Sequence, residues 1–82
     1  MRAIVNIYLK EGVLDPQGKA VHHALDSLGF DKVEDVRVGK QIVIELKAKD
    51  MDEAFEEVGK MSETLLANTV IEDYTIEIEE QE

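Results

Sequence analysis

The chain has 82 residues, a formal net charge of −10 and no cysteine. This length fits one acidic domain over residues 1–82 with a modest core, and oligomerisation would bury additional apolar surface. The absence of Cys excludes disulfides, thiolate metal sites and Cys nucleophiles. Nine Lys and Arg scattered among nineteen Asp and Glu disfavour nucleic acid and anionic membranes as partners. Neither a signal peptide nor an apolar run of about 18 residues is present, so we expect a cytoplasmic location.

The first predicted element is a strand over residues 2–10, where apolar residues alternate. Ala3, Val5 and Ile7 fall on one face, whereas Ile4 and Tyr8 fall on the other. Because neither face is wholly polar, we expect a central strand with something packed on both sides.

A helix is predicted to begin after Asp15, which serves as N-cap with Pro16 at the first helical position. Gly29 supplies a left-handed stop, and Phe30 folds back on the helix. One apolar stripe recurs at helical spacing and consists of Ala20, Val21, Ala24, Leu25 and Leu28.

Gly18 is unusual because Gly inside a helix costs roughly 0.5 to 1 kcal/mol relative to Ala. Three interpretations stay open: close approach by a partner backbone, an anion site at Asp15 to Lys19 at the helix N-terminus, or no function. The adjacent His22 and His23 point about 100° apart on a helix, so the pair cannot chelate one metal ion.

The centre of the chain, residues 33–47, predicts a β-hairpin, because two runs rich in β-branched residues meet at Gly39-Lys40. With a two-residue loop, Val36 and Val38 join Ile4, Tyr8 and Val43 on the face away from the helices. With a three-residue loop both valines turn toward the helices. We favour the first register, which makes an apolar patch for a second copy to cover.

A second helix is predicted from Asp50, which forms a capping pair with Glu53 and is followed by an apolar stripe to Ala67. The last strand is predicted over residues 70–79, with Tyr74, Ile76 and Ile78 on one face. The acidic C-terminal end is interpreted as a solvated strand end and tail, and it contains Glu72, Asp73, Glu77, Glu79, Glu80 and Glu82.

The element order is therefore βαββαβ. Right-handed crossovers predict an α+β ferredoxin-like sandwich, with a four-stranded antiparallel sheet and two helices on one face. That topology serves many functions and names none. No Ser or Cys with a positioned base, no paired carboxylates in an apolar pocket and no phosphate loop can be assembled from the residues.

Three stretches of the sequence, in the same order and at family-like spacing, resemble the PurS family, the small subunit of phosphoribosylformylglycinamidine synthase in purine biosynthesis. They are Leu14-Asp15-Pro16-Gln17-Gly18-Lys19-Ala20-Val21, then Asp35-Val36-Arg37-Val38-Gly39-Lys40, then Leu65-Leu66-Ala67-Asn68 with Val70-Ile71-Glu72-Asp73-Tyr74. The resemblance runs the whole length of the chain.

This resemblance implies a non-catalytic assembly subunit without a cofactor of its own. Its partners would be a glutaminase that releases ammonia and a large synthase subunit that holds ATP and Mg²⁺. From the apolar patch we also expect further copies of the chain as partners, in a homodimer or dimer of dimers. The alternative is a small-molecule-sensing regulatory βαββαβ module. An acylphosphatase-like enzyme is disfavoured, because the loop over residues 10–14 contains no Arg.

We predict no catalytic, cofactor-binding or metal residues in this chain. The predicted partner or oligomer interface combines the apolar patch with the first two family-like stretches, and consists of Ile4, Tyr8, Asp15, Pro16, Gln17, Gly18, Lys19, Val36, Arg37, Val38, Gly39, Lys40 and Val43.

Overall fold

A computed structural model describes residues 1–80. Its elements, in chain order, are β1 (Arg2–Leu9), α1 (Pro16–Ser27), β2 (Lys40–Glu45), α2 (Met51–Met61), a π-helical turn (Ser62–Leu66) and β3 (Glu72–Glu79). The three strands form one antiparallel sheet in the order β2-β1-β3. The fold is therefore α+β, with two helices and a three-stranded antiparallel sheet in the described residues.

The core lies between one face of this sheet and α2. Ala3, Val5 and Ile7 alternate along β1 and are almost completely buried, as the alternating pattern predicts. Ala54 and Val58 of α2 are also fully buried, and α2 lies across β1 and β3. The prediction that the first strand is central is confirmed by its pairing on both edges.

The predicted β-hairpin at Gly39-Lys40 is wrong. The chain does not reverse direction there. Lys40 pairs with Ile7, and Arg37 contacts the end of β1, so the segment that leads into β2 continues in the same direction along one edge of β1. Residues 33–39 belong to no strand of the sheet, which has three strands instead of the predicted four.

Both helix starts are confirmed. Asp15 caps α1 by accepting a hydrogen bond from the Gly18 N–H, and Asp50 caps α2 by accepting one from the Glu53 N–H. The predicted stop of α1 is present as well: Gly29 has a φ of 95°, and the Phe30 N–H donates to the Leu25 carbonyl. Local capping signals therefore predict the helix ends correctly.

The second helical stretch reaches Leu66, close to the predicted limit at Ala67, but its last turn is not α-helical. It widens into the π-helical turn, in which the Ala67 N–H donates to the Ser62 carbonyl five residues earlier. Tyr74 of β3 holds this turn by donating its hydroxyl to Glu63 at 2.9 Å. That bond to a carboxylate raises the pKa of Tyr74. The predicted acidic tail extends beyond the described residues, because Glu82 lies outside them.

Helix α1 does not pack on the sheet. It belongs to an arm (residues 14–38) made of α1 and a return segment, residues 33–38, that runs back along the helix; the rest of the described chain is called the body. The Cα radius of gyration is 16.2 Å, whereas a compact chain of this length would have about 12 Å. The arm therefore extends away from the body.

Candidate functional site

Asp15 joins the start of the arm to its end. Its side chain is only 7% exposed. One carboxylate oxygen accepts a hydrogen bond from the Gly18 N–H at 2.9 Å, and the other accepts one from the Val38 N–H at 2.8 Å. These two backbone bonds, first the one from Gly18, lower the pKa of Asp15. The carboxylate is thus held ionised between two segments that are 23 residues apart in sequence.

Arg37 adds a second connection at the same place. Its Nη2 donates to the carbonyl oxygens of Leu9 at 3.3 Å and Lys10 at 3.2 Å, and its Nε lies 3.9 Å from the Asp15 carboxylate. The guanidinium therefore ties the return segment to the end of β1. We call the set Asp15, Gly18, Val36, Arg37 and Val38 the Asp15 junction.

Gly18 is explained by a close approach within the chain. It is buried, and a Cβ atom at this position would overlap the carbonyl oxygen of Val36. Only a residue without a side chain lets the return segment cross the helix at this distance. The backbone that approaches Gly18 belongs to the same chain, not to a partner. The Asp15 carboxylate occupies the helix terminus at which an anion would bind.

Gly39 is also required for a close approach rather than for a turn. A Cβ atom there would lie 2.7 Å from the carbonyl oxygen of Ile7. The only positive-φ glycines in residues 1–80 are Gly12 and Gly29, so Gly39 does not adopt the backbone that a type II′ turn demands. Sequence alone cannot distinguish these two uses of Gly.

Two open clefts flank the Asp15 junction. One, of about 250 Å³, is lined by Tyr8, Gln17 and Lys40, and by Glu72, whose carboxylate lies 3.9 Å from the Lys40 ammonium. The other, of about 270 Å³, is lined by Lys19 and the Arg37 side of the return segment. The structure therefore brings together ten predicted interface residues: Asp15, Pro16, Gln17, Gly18, Lys19, Val36, Arg37, Val38, Gly39 and Lys40.

The predicted apolar patch is only partly formed. Ile4 and Val43 face each other across the β1–β2 pair on the outer side of the sheet, and Tyr8 lies on the same side. Val43 is 52% exposed and Tyr8 43%. Val36 and Val38 do not join them, because the absent hairpin leaves both valines in the Asp15 junction.

His22 acts within the arm, a role that the sequence gave no reason to expect. Its Nε2 lies 2.8 Å from the Val33 carbonyl oxygen and 3.9 Å from the Asp26 carboxylate, its neighbour one turn along the helix. Glu72 is the other residue missed, since nothing in its sequence position indicated a contact with Lys40. Among residues 1–80 no group of three or more His, Cys, Asp or Glu is placed to hold a metal ion.

No helix in the described part of the chain is long and apolar enough to cross a membrane.

The three sequence stretches that resemble PurS can now be placed on the structure. The first two, residues 14–21 and 35–40, meet at the Asp15 junction. The third includes the last two residues of the π-helical turn, Leu65 and Leu66, and continues into the start of β3.

Comparison with known proteins gives matches over nearly the whole chain. A family model for PurS, described as phosphoribosylformylglycinamidine (FGAM) synthase, matches residues 2–80. The FGAM synthase subunit PurS of Bacillus subtilis (strain 168) is 54% identical over 78 residues, which are 93% of this chain and 89% of that protein.

Solved structures give the same result. The crystal structure of Methanocaldococcus jannaschii PurS has a TM-score of 0.89 and 43% identity, covering 99% of this chain and 98% of that one. A chain in the structure of PurLQS from Thermotoga maritima has a TM-score of 0.85 and 30% identity, covering 93% of each chain. The chain described here belongs to the PurS family.

Proposed function

We propose that this protein is the non-catalytic assembly subunit of an FGAM synthase complex. In this role it brings a glutaminase and an ATP-dependent synthase subunit together so that ammonia passes between them. The likeness to a chain of the Thermotoga maritima PurLQS structure carries the proposal. The Methanocaldococcus jannaschii relative is described as one of the subunits of formylglycinamide ribonucleotide amidotransferase in the purine biosynthetic pathway, which supports the same reaction.

The chemistry of the Asp15 junction supports a structural rather than a catalytic role. A general base needs an oxygen within reach of the substrate and a pKa near the working pH, whereas the Asp15 side chain is only 7% exposed. The Asp15 carboxylate instead accepts a backbone N–H on each oxygen, and its pKa is lowered. Arg37 is likewise committed to two backbone carbonyls. We place ATP and Mg²⁺ on the large synthase subunit and no cofactor on this chain.

We also propose that the protein works as a homo-oligomer, as a homodimer or a dimer of dimers. Support comes from the apolar residues that the single chain leaves exposed, since Leu28 is 73% exposed and Phe30 59%. We propose that the fourth strand and the ferredoxin-like arrangement are completed only in that assembly. We further propose a cytoplasmic location. The net charge of −10 supports a protein that binds neither nucleic acid nor anionic membranes.

Reconstitution tests this function. The cognate synthase and glutaminase subunits are assayed for glutamine-dependent amidine formation with and without this protein. We expect omission to abolish most of the glutamine-dependent rate and to leave the ammonia-dependent rate of the synthase unchanged. A glutamine-dependent rate that survives omission would contradict the assembly role.

A further inference from the structure

Strand β3 has one edge without a partner strand in the described chain. The sheet order is β2-β1-β3, so within residues 1–80 β3 pairs only with β1. That pairing runs without a bulge from Glu72 to Glu79. An edge strand of eight residues that contains neither Pro nor Gly is a template on which a further strand can be added.

The backbone groups at this open edge follow from the hydrogen bonds on the other side of β3. The Lys10 N–H donates to the Ile71 carbonyl at 2.9 Å, just beyond the end of the strand pair. Every second residue of an antiparallel strand bonds to the same neighbour. The odd-numbered residues of β3 therefore bond to β1, whereas the N–H and C=O groups of Tyr74, Ile76 and Ile78 point away from it. These outward groups have no backbone partner within residues 1–80.

The side chains of β3 differ between its two faces. Tyr74, Ile76 and Ile78 pack against the core and are only half-buried, so the apolar face of the sheet reaches its edge. The residues of the opposite face are all exposed, and they are Asp73, Thr75, Glu77 and Glu79. A strand added here would meet apolar side chains on one face and carboxylates on the other.

The acids of β3 are only partly compensated by basic groups. Asp73 lies 3.8 Å from the Lys10 ammonium, and Glu79 lies 4.0 Å from the Arg2 guanidinium. The Glu77 carboxylate has no ion pair within residues 1–80. β3 itself contains no Lys or Arg. A row of negative charge therefore runs beside the open edge, and basic side chains on an added strand would neutralise it.

The same row of acids disfavours a second copy of β3 as the added strand. Two antiparallel copies centred on Ile76 would place Asp73 opposite Glu79. Centring the pair on Thr75 would place Asp73 opposite Glu77 instead. Like charges directly opposite each other destabilise a strand pair. Charge therefore discriminates between another β3 and a strand that carries Lys or Arg at alternate positions.

We propose that the open edge of β3 receives an extended segment of a partner subunit in which apolar and basic residues alternate. Its backbone bonds to the outward N–H and C=O groups of Tyr74, Ile76 and Ile78. Its apolar side chains extend the inner face of the sheet, and its Lys or Arg side chains lie beside Glu77 and the neighbouring acids. In this mode of recognition the backbone bonds supply affinity and the alternate side chains supply specificity. The inference rests on the proposed function, since the partner is a subunit of the same complex.

Hydrogen exchange tests where the segment binds. In the protein alone, the amides of Tyr74, Ile76 and Ile78 should exchange as open backbone does. In the complex reconstituted with the synthase and glutaminase subunits, we expect each to exchange at least about tenfold more slowly, measured by mass spectrometry with residue-level fragmentation. The Thr75 and Glu77 amides are the control, because their bonds to β1 protect them in both samples. Unchanged exchange at the three outward amides in the formed complex would overturn the proposal.

A charge reversal tests the chemistry of the added segment. Glu77→Lys places a positive charge where the partner strand is proposed to be basic. We expect about tenfold more of this variant to be needed for half-maximal glutamine-dependent activity with the two partner subunits. The control is Asp31→Lys, which makes the same change of charge at an exposed position between α1 and the return segment and should behave as natural protein. Equal requirements for Glu77→Lys and natural protein would refute recognition by basic residues.

The inference and the proposed function can fail separately. Omission of the natural protein measures the assembly role, whereas exchange at the β3 edge measures strand addition. If omission abolishes the glutamine-dependent rate but the outward amides of β3 stay unprotected in the complex, the assembly role stands and strand addition is refuted. If omission leaves the rate unchanged but the outward amides become protected on mixing with the two subunits, strand addition stands and the assembly role is refuted.

Discussion

The body and the arm show how similar apolar patterns can have different outcomes in one chain. In the body, alternating residues of β1 and the stripe of α2 meet and bury each other, so that Val5 and Val58 are inaccessible. In the arm, the apolar stripe of α1 remains in solvent, with Val21 43% exposed. Periodicity predicts that a surface is to be covered. It does not say whether the cover comes from the same chain.

The largest effect on stability is expected at the crossing within the arm. In Gly18→Ala the new methyl group would overlap the backbone oxygen of Val36, which cannot rotate away. We expect unfolding free energy to fall by about 3 kcal/mol, the upper end for overpacking, in urea denaturation monitored by circular dichroism. Gly59→Ala is the control, because no atom of the chain lies within 4 Å of a Cβ there. It should be neutral or stabilise by up to about 1 kcal/mol. Equal losses in both variants would contradict the close approach at Gly18.

A matched pair of Val→Ala substitutions compares the body with the arm. Val58 is fully buried, so Val58→Ala should cost about 2 kcal/mol at every protein concentration. Val21→Ala should cost almost nothing in dilute protein, and progressively more as the concentration rises and copies of the chain associate. Denaturation at several concentrations measures both. A concentration-independent loss for Val21→Ala would mean that α1 packs within its own chain.

The smallest effect is expected from Asp15→Asn, and it depends on pH. The folded pKa of Asp15 is lowered, so the carboxylate stabilises the folded chain above the unfolded pKa of about 3.9. This stabilisation is lost as pH falls through the folded value. Asn keeps one acceptor oxygen and loses the other, so the variant should be less stable than the natural protein at pH 7. The difference should shrink in melts below about pH 4. A difference that stays constant to pH 2 would contradict the role of the charge.

Much of the fold was readable from local signals. Asp15 with Pro16 predicted where α1 begins, and Gly29 predicted where it ends, because capping is satisfied by residues a few positions away. The alternation of β1 predicted its central place. The hairpin prediction was wrong because Gly39 was taken as a turn residue. Gly is needed there because the carbonyl oxygen of Ile7, far away in sequence, leaves no room for a side chain.

The residues of the candidate site lie close together in the structure, and their role as a partner or oligomer interface stays a prediction. The resemblance to PurS put residues 15–19 and 36–40 in one interface, and the structure brings them together. The sequence could not predict the hydrogen bond from the Val38 N–H to the Asp15 carboxylate. The two residues are 23 positions apart, and the donor is a backbone N–H that every residue except Pro has. His22 and the Val33 carbonyl were missed for the same reason.

The hydrogen bond that the Val38 N–H donates to Asp15 connects the two ends of the arm. It fixes the distance between the point where the chain enters the arm and the point where it leaves, much as a cross-link closes a loop. Gly18 packs against the Val36 backbone, and His22 lies within hydrogen-bond distance of the Val33 carbonyl. Helix α1 and the return segment therefore form one structural unit. The arm can therefore enter or leave an assembly as one piece, without unfolding of its helix.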